Sequence, residues 1–548
     1  MNQVKSELTL TDRQLCDCEM IMDNSFSPLD GFMNKGDYSS VLEKMRLEDG
    51  SLFPIPVVLD VNKEFSNQIL VGEKVLLRDK EGFKVAFLNV ESIWEPDFNK
   101  EAQLVYGTKD LSHPAIDFLY KKSFKIYVGG KIEKIASPNH YDFKKYRLTP
   151  EQAKNIFKEK GWDKIIAFQT RNPLHRAHVQ MTLNSMEDIK ANLFLHPVVG
   201  LTKSGDIDHF TRVRCYEHVL RRYKNGSVVL GLLPLAMRMA GPREALLHAI
   251  IRKNYGCSHI IIGRDHAGPG NNIKGDPFYG PYDAQKLVKR YEVELGIKMI
   301  PFQSMVYVPQ KDKYLEISTL EKNTNYKTIS GTEMRDILEK GKSIPDWFTY
   351  KEISLELKKS VRPLEERGFT VFFTGLSGSG KSSIANGLLT RLLENGARPV
   401  TLLDGDLVRK HLSSELGFSK KHRSLNVQRI GFVASEITKC GGIAICAPIA
   451  PYKYDRQINR ELISQYGGYV EVSVSTPLKK CEERDSKGFY KLAREGKIKK
   501  FTGISDPYET PNNPEFILNS DGSVAIEKLV DDLFEGLIKL GYIKQKTF

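Results

Sequence analysis

The chain has 548 residues, 41% of them hydrophobic, 27% charged and 10% aromatic, which excludes a disordered or fibrous protein and is too long for one core at roughly 150 residues per domain. Its formal charge of +13 asks for anionic partners, but acids interleave with the bases and no basic run carries aromatics, so small anions such as phosphates are expected and nucleic acid is not. No stretch is apolar enough to span a bilayer, and MNQVKSELTLTDRQ lacks the basic head and apolar run of a secretory signal, so the expectation is a cytoplasmic protein with no membrane partner.

The seven cysteines are odd in number and, apart from Cys16 and Cys18, scattered singly as Cys215, Cys257, Cys440, Cys446 and Cys481. That is no disulfide framework, and with no second ligand pair at a matching spacing no structural zinc is predicted.

Residues 1–140 mix short β-type runs, FPIPVVLDV and EKVLLRD, with turn residues and acids, and predict a small β-rich domain. Over 141–355 the pattern becomes strands alternating with helices (KIIAFQT, LFLHPVVG, HIIIGRD), which predicts a parallel sheet with its site at the strand C-terminal ends. A charged, largely helical bridge from Ile344 to Arg367 carries Trp347, and a third domain, 356–548, repeats the strand and helix alternation through FTVFFTG, PVTLLDGD, GGIAICAPIA and YVEVSVS. The fold class expected is thus multidomain α/β.

FQTRNPLHRAH sets Gln169, Thr170, Arg171 and Asn172 directly after an apolar strand, with His175 and His178 opening the next helix. Histidines three apart on a helix share a face, and a helix N-terminus there can hold polyphosphate. Alone, such a pair is more often coincidence. Two further clusters accompany it: MRMAGPREALLHA, with Arg238, Arg243, Glu244 and His248, and GRDHAGPG, with Arg264, Asp265, His266 and Ala267. In ISGTEMRDIL, Ser330 and Thr332 read as caps, and Arg335 sits where it can reach ATP phosphates.

FTVFFTGLSGSGKSS is strand, glycine-rich loop and helix start. It fits a P-loop in which Gly375, Gly378 and Gly380 free the backbone to approach phosphates, Lys381 reaches the β- and γ-oxygens, Ser382 is placed for Mg²⁺ and Ser383 follows. In LLDGDLVRKHL, Asp404 and Asp406 end a strand one away from the P-loop, placed to accept a hydroxyl proton or to order water on magnesium; a plain helix cap is the alternative for either.

QTRNPLHRAH, MRMAGPREALLHA, GRDHAGPG and ISGTEMR together resemble the motif set of ATP sulfurylase, and FSPLDGFM, Phe26 to Met33, resembles that family's N-terminal domain. The resemblance implies a PUA-like domain followed by a Rossmann-like HxxH nucleotidyltransferase domain that makes adenylyl sulfate (APS) and pyrophosphate from ATP and sulfate. It implies that Gln169, Arg171 and Ala267 bind sulfate, that Asn172, His175, His178 and the Arg264 to His266 segment hold ATP, that Thr170, Arg171 and Asn172 are active-site residues, and that Val306 contacts adenine. GLSGSGKS, LDGDLVRKHL, ELGFSKKHRSLNVQRIGFVA, APIAPYKYDR and KGFYKLAREGKIKKFTGISDPYETP are similar to adenylylsulfate kinase over 368–548. That similarity implies a P-loop kinase forming 3'-phosphoadenylyl sulfate (PAPS). Arg409, Arg423, Asn426 and Arg429 would bind the phosphosulfate, Phe418 and Phe501 would sandwich its adenine, Ile449 would line the site, and the run from Lys487 to Lys500 would be a lid. Ala450 stands where the kinase pattern has Ser, and His422 where Asp is common, so a non-catalytic, PAPS-binding allosteric domain is the alternative. Fused enzymes of this type also imply Mg²⁺ with ATP and a homo-oligomer.

Overall fold

The computed structural model describes residues 6–203, 205–302, 304–396, 398–485 and 487–544. The chain divides into two compact units, Met1–Gly331 with Ile344–Ser360, and Thr332–Ser343 with Val361–Phe548.

Among the described residues the first unit holds a two-stranded sheet, Met305–Val308 with Lys313–Glu316, and two large ones. One is the β-rich N-terminal part, in which strands Ser6–Thr9, Lys74–Arg78, Lys84–Asn89, Ile126–Lys134 and Gly31–Phe32 lie in that order, while Leu59–Val61 and Ser92–Trp94 also pair with Ile126–Lys134. Serving so many partners forces close backbone approach on one strand. A Cβ at Gly129 would lie 2.0 Å from the Met33 carbonyl oxygen, and one at Gly130 would lie 1.8 Å from that of Asn89, so only glycine fits there. Of the run FPIPVVLDV, the last three residues alone enter a strand; Pro54 and Pro56 lack the N–H a ladder needs. Helices Asp12–Met22, Lys35–Lys44 and Pro114–Lys121 complete the domain. Each begins at a side-chain cap, supplied by Thr11, Asn34 and His113.

The second sheet is fully parallel, in the order Val228–Leu230, Asn192–Leu195, Ile165–Phe168, His259–Ile262, Lys298–Pro301. The chain starts in the middle strand, moves outward on one side and then resumes on the other. The strand order therefore reverses between Ile165–Phe168 and His259–Ile262, and the loops leaving their C-terminal ends part to leave a crevice.

The second unit repeats the principle with strands Val400–Asp404, Ile443–Ala447, Phe369–Thr374, Gly468–Val474 and Phe516–Leu518, all parallel. Phe369–Thr374 and Gly468–Val474 are buried at every position, as strands covered by helices on both faces must be. Asp404 lies two strands from the P-loop strand, because Ile443–Ala447 inserts between them; sequence proximity suggested one. Among the described residues no helix is long and apolar enough to cross a membrane, and all seven cysteines are free.

Within the first unit, Asp17 of helix Asp12–Met22 and Arg238 form an ion pair of 2.6 Å, both side chains almost fully buried. Replacing Asp17 by alanine leaves a buried guanidinium without its counter-charge. The expected loss of stability is about 3–5 kcal/mol, read as a lowered denaturant midpoint of the first unit.

Candidate functional site

In the first unit the two loops at the sheet's reversal point carry the predicted residues. Gln169 to Asn172 follow strand Ile165–Phe168, and Gly263 to Gly270 follow the adjacent strand His259–Ile262. Thr170 shapes its own turn: Oγ1 accepts from the Asn172 N–H and donates to the Asn172 carbonyl, each at 3.0 Å, and Tyr216 OH donates to the same carbonyl at 2.8 Å. Asp265 and Ala267 take positive φ values of 52° and 55°, a backbone strain of order 1–3 kcal/mol each that clusters at functional loops. Arg171 pairs with Asp206 at 3.0 Å and donates to the Gly268 carbonyl at 3.3 Å, which ties the two loops together. Between them opens a cavity of about 520 Å³, lined among others by Arg171, Lys203, Arg264, His266 and Tyr279. Lys203 and Asp206 escaped the sequence reading, although their loop leaves the C-terminal end of the neighbouring strand Asn192–Leu195.

The two HxxH histidines do not share a helical face as expected. Helix Arg176–Ile189 begins one residue after His175, which is its extended N-cap, and His178 alone lies in the first turn. The His175 backbone N–H donates to His178 Nδ1 at 3.2 Å, so the ring proton of His178 resides on Nε2. Burial pushes the pKa of His175 down to about 3 and that of His178 down to about 4, so both imidazoles are neutral N–H donors at physiological pH.

A second histidine pair lies under the cavity. His266 Nδ1 accepts from the Gly263 N–H at 3.4 Å, which puts its proton on Nε2, 3.0 Å from His248 Nδ1. The remaining proton of His248 is then on Nε2, which faces Glu244 at 3.6 Å; that carboxylate also accepts from the N–H groups of Arg238 and Ala240, and the Gln169 amide nitrogen, itself a donor, lies 3.3 Å from the same Nε2. Glu244 and His248 are visible in their motif, but their place beside Gln169 emerges only in three dimensions. Val306 is buried on strand Met305–Val308, which packs against helix Arg176–Ile189. Arg335, expected to reach ATP, lies on helix Gly331–Glu339 in the second compact unit.

In the second unit the P-loop bends at Gly378 and Gly380, with φ of 72° and 98°, and a Cβ at Gly380 would meet Ser520 Oγ at 2.6 Å. Its entry is fixed by the Ile449 carbonyl, which accepts from Thr374 Oγ1 at 2.8 Å and from the Gly375 N–H at 3.3 Å. Lys381 Nζ folds into the loop, donating to the Leu376 carbonyl at 2.6 Å and to Ser379 Oγ at 3.3 Å. Burial lowers its pKa to about 8. Ser382 Oγ donates to Asp404 Oδ2 at 3.0 Å, while Asp404 Oδ1 accepts from the Asp406 N–H at 2.9 Å; Asp404 is both helix cap and P-loop partner. Asp406 pairs instead with Lys487, and Tyr490 OH donates to the Ser377 carbonyl at 2.8 Å, so the lysine-rich run packs on the P-loop. Ser383, next on the helix, is exposed.

The predicted phosphosulfate arginines are each held by protein acceptors. Arg409 donates to the carbonyls of Leu416 and Gly417 and lies 4.4 Å from the Phe418 ring centre. Arg429 pairs with Glu415 at 2.6 Å, and buried Arg423 binds Thr502 and Asp506. Asn426 is buried with its Oδ1 unpartnered. Phe501 packs edge-on against Tyr490 at 5.0 Å, whereas the Phe418 ring is exposed. His422 Nδ1 accepts from the Gly417 N–H at 2.9 Å, closing the loop that Arg409 also grips. Ala450 has a positive φ of 45°, and its carbonyl accepts from Arg456 at 2.6 Å.

Three family models match in sequence: PUA-like domain over residues 2–137, ATP-sulfurylase over 144–360 and adenylylsulphate kinase over 367–519. The sulfate adenylyltransferase of Phaeosphaeria nodorum is 50% identical over 94% of this chain and 90% of its own length, and that of Aspergillus clavatus is 52% identical over 92% and 89%. The chain belongs to the sulfate adenylyltransferase family. A solved structure described as a hexameric APS kinase from Thiobacillus denitrificans superposes with a TM-score of 0.80 at 36% identity, covering 99% of this chain and 94% of that one. The chain therefore carries both modules of sulfate activation, ATP and sulfate giving APS, then APS and ATP giving PAPS.

Two outcomes follow from the titrating groups. The adenylyl transfer rate should show no inflection from His175 or His178 between about pH 8 and about pH 6, since both stay neutral well below an ordinary histidine's range; a pH profile at saturating substrates checks this. Triphosphate bound at the P-loop should raise the depressed pKa of Lys381, so ATP binding takes up a proton above about pH 8 and none near about pH 6.5. Calorimetry in buffers of different ionisation enthalpy measures that uptake, and it should vanish in Lys381→Ala.

Proposed function

We propose that the two modules act in series on one sulfate. At the first, Gln169, Arg171 and Ala267 take the sulfate, and Asn172, His175, His178 and the Arg264 to His266 segment hold ATP, with Val306 beside its adenine. The observation that carries this is the meeting of Arg171, the strained Asp265 to Ala267 turn and two neutral imidazole donors at the one point where the strand order reverses. Sulfate is fully ionised at neutral pH, so its oxygen needs no base to attack the α-phosphorus. It needs alignment and neutralised charge, which arginine, backbone N–H groups and imidazole N–H donors supply without reorganising. Pyrophosphate leaves as its charge is taken up by the same donors.

At the second module, Lys381 neutralises charge on the transferring γ-phosphoryl group of ATP, the 3'-hydroxyl of APS attacks it, and ADP leaves as the β–γ anhydride bond breaks. Asp404 or Asp406 receives the hydroxyl proton. Magnesium would arrive with ATP: Ser382 Oγ and Asp404 Oδ2, 3.0 Å apart, form an oxygen donor pair suited to a hard cation that screens the β- and γ-phosphates. Because the phosphosulfate anhydride is high in energy, removing APS draws the first step forward. A cytoplasmic homo-oligomer completes the proposal, supported by the hexamer described for the Thiobacillus denitrificans protein.

Ala450 and His422 depart from the kinase pattern, and relatives at about half identity are named for the first reaction alone, so a PAPS-binding regulatory role for residues 356–548 is the second reading. The intact P-loop favours turnover. The full chain given APS and MgATP should form PAPS; tight PAPS binding without turnover would sink the kinase. Lys381→Ala should abolish PAPS formation and leave APS synthesis intact. Arg171→Ala should do the opposite, removing most of the first rate, and unchanged pyrophosphate release in that variant would refute the central assignment.

A further inference from the structure

The stretch Ile344–Ser360, which reads in sequence as a bridge, folds with the first unit and returns to the start of the HxxH helix. Thr349, 1% exposed, brings Oγ1 to 2.9 Å from His175 Nδ1. The Phe348 ring centre lies 4.5 Å from that imidazole. Arg176, the first residue of the helix, donates its backbone N–H to the Phe348 carbonyl at 3.2 Å and its Nε–H to the Asp346 carbonyl at 2.6 Å, and its guanidinium lies 4.5 Å from the Tyr350 ring centre. Five successive residues, 346–350, thus include four that grip His175 or its neighbour.

The direction of the Thr349 hydrogen bond follows from burial. Among the described residues the hydroxyl has no other hydrogen-bond partner than His175 Nδ1. If the imidazole donated, the hydroxyl proton would be buried unpaired, which is the costlier arrangement. The hydroxyl donates, and the ring proton of His175 sits on Nε2.

We propose that Thr349 is a positioning residue for adenylyl transfer: by donating to Nδ1 it fixes His175 as the Nε2–H tautomer, matching His178, so that both rings offer N–H donors to the polyphosphate. The proposal rests on the reading of His175 and His178 as phosphate donors. In His178 the Nδ1 partner is a backbone N–H, which a change of side chain alone does not remove; in His175 it is a side chain 174 residues downstream, supplied by the segment that leads to the second module. A His175 ring freed from Thr349 can carry its proton on Nδ1 and then turns a lone pair, not a donor, toward phosphate oxygen.

Thr349→Val keeps the size and β-branching and deletes the hydroxyl, and Thr349→Ser restores it. APS formation by the valine variant should fall by about tenfold to a hundredfold in kcat, with KM for sulfate unchanged and the serine variant close to the parent. PAPS formation from supplied APS, catalysed by the other module of the same chain, should be unaffected, and a denaturant midpoint of the first unit equal to the parent's reports that the unit holding Thr349 is folded. In protein carrying ¹⁵N-labelled histidine, the His175 ring signals should move from the Nε2–H pattern toward a tautomer mixture in the valine variant. A valine variant with the parent kcat, or a serine variant as slow as valine, overturns the role of Thr349. If His175→Ala and His178→Ala themselves kept the parent rate, it is the underlying reading of the histidines that fails.

Discussion

Parallel strands can only be joined by crossovers, and every crossover in this molecule returns the chain to the same end of its sheet. In each of the two five-stranded parallel sheets the central strand is laid down first and the later strands are added to one side and then to the other, so the loops beside the first strand are pushed apart. Both candidate sites stand in the gap so made. In the first unit it separates the Gln169 to Asn172 loop from the Gly263 to Gly270 loop. In the second it receives the P-loop after Phe369–Thr374. The local chemistry differs, with imidazole and arginine in one and a glycine cradle with lysine in the other, yet the same topological rule decides where that chemistry can be placed.

Around the first gap, polar groups are buried in ways that leave little choice of protonation. The Gly263 N–H settles His266, His266 settles His248, and the His175 N–H settles His178. Each decision passes along one hydrogen bond, and each ring is kept neutral by its surroundings. A charged imidazolium would bind phosphate more strongly, but it would do so in the ground state as well as in the transition state; a fixed neutral donor is aimed at a place, and little of its effect is lost to reorientation.

Much of this was legible in the chain. The alternation of apolar runs with helical stretches gave both parallel sheets, because strands buried on two faces must be apolar throughout, and the P-loop was plain from its glycine spacing between strand and helix. What escaped had physical reasons. Strand order is not written in local pattern, so Asp404 was placed one strand too close to the P-loop. The helix start after His175 depended on the backbone of a single extended residue, so the two histidines were put on one face. The placing of Glu244 and His248 beside Gln169, the Lys203 and Asp206 loop, and the Thr349 contact join residues far apart in sequence, and no periodicity announces them.

The neutral histidines also bear on how the first unit meets acid. His113, His175 and His178 have folded pKa values of about 4, 3 and 4, and those of His196, His248 and His266 are lowered too, whereas the unfolded chain takes up these protons near about pH 6.5. Between those values the unfolded state binds more protons than the folded one, so stability declines as pH falls from about 6.5 toward about 4. Six rings placed to stay uncharged thus act together as a proton sink that opens only on unfolding, and the burial that readies this unit for its anionic substrates also sets the acid limit of its fold.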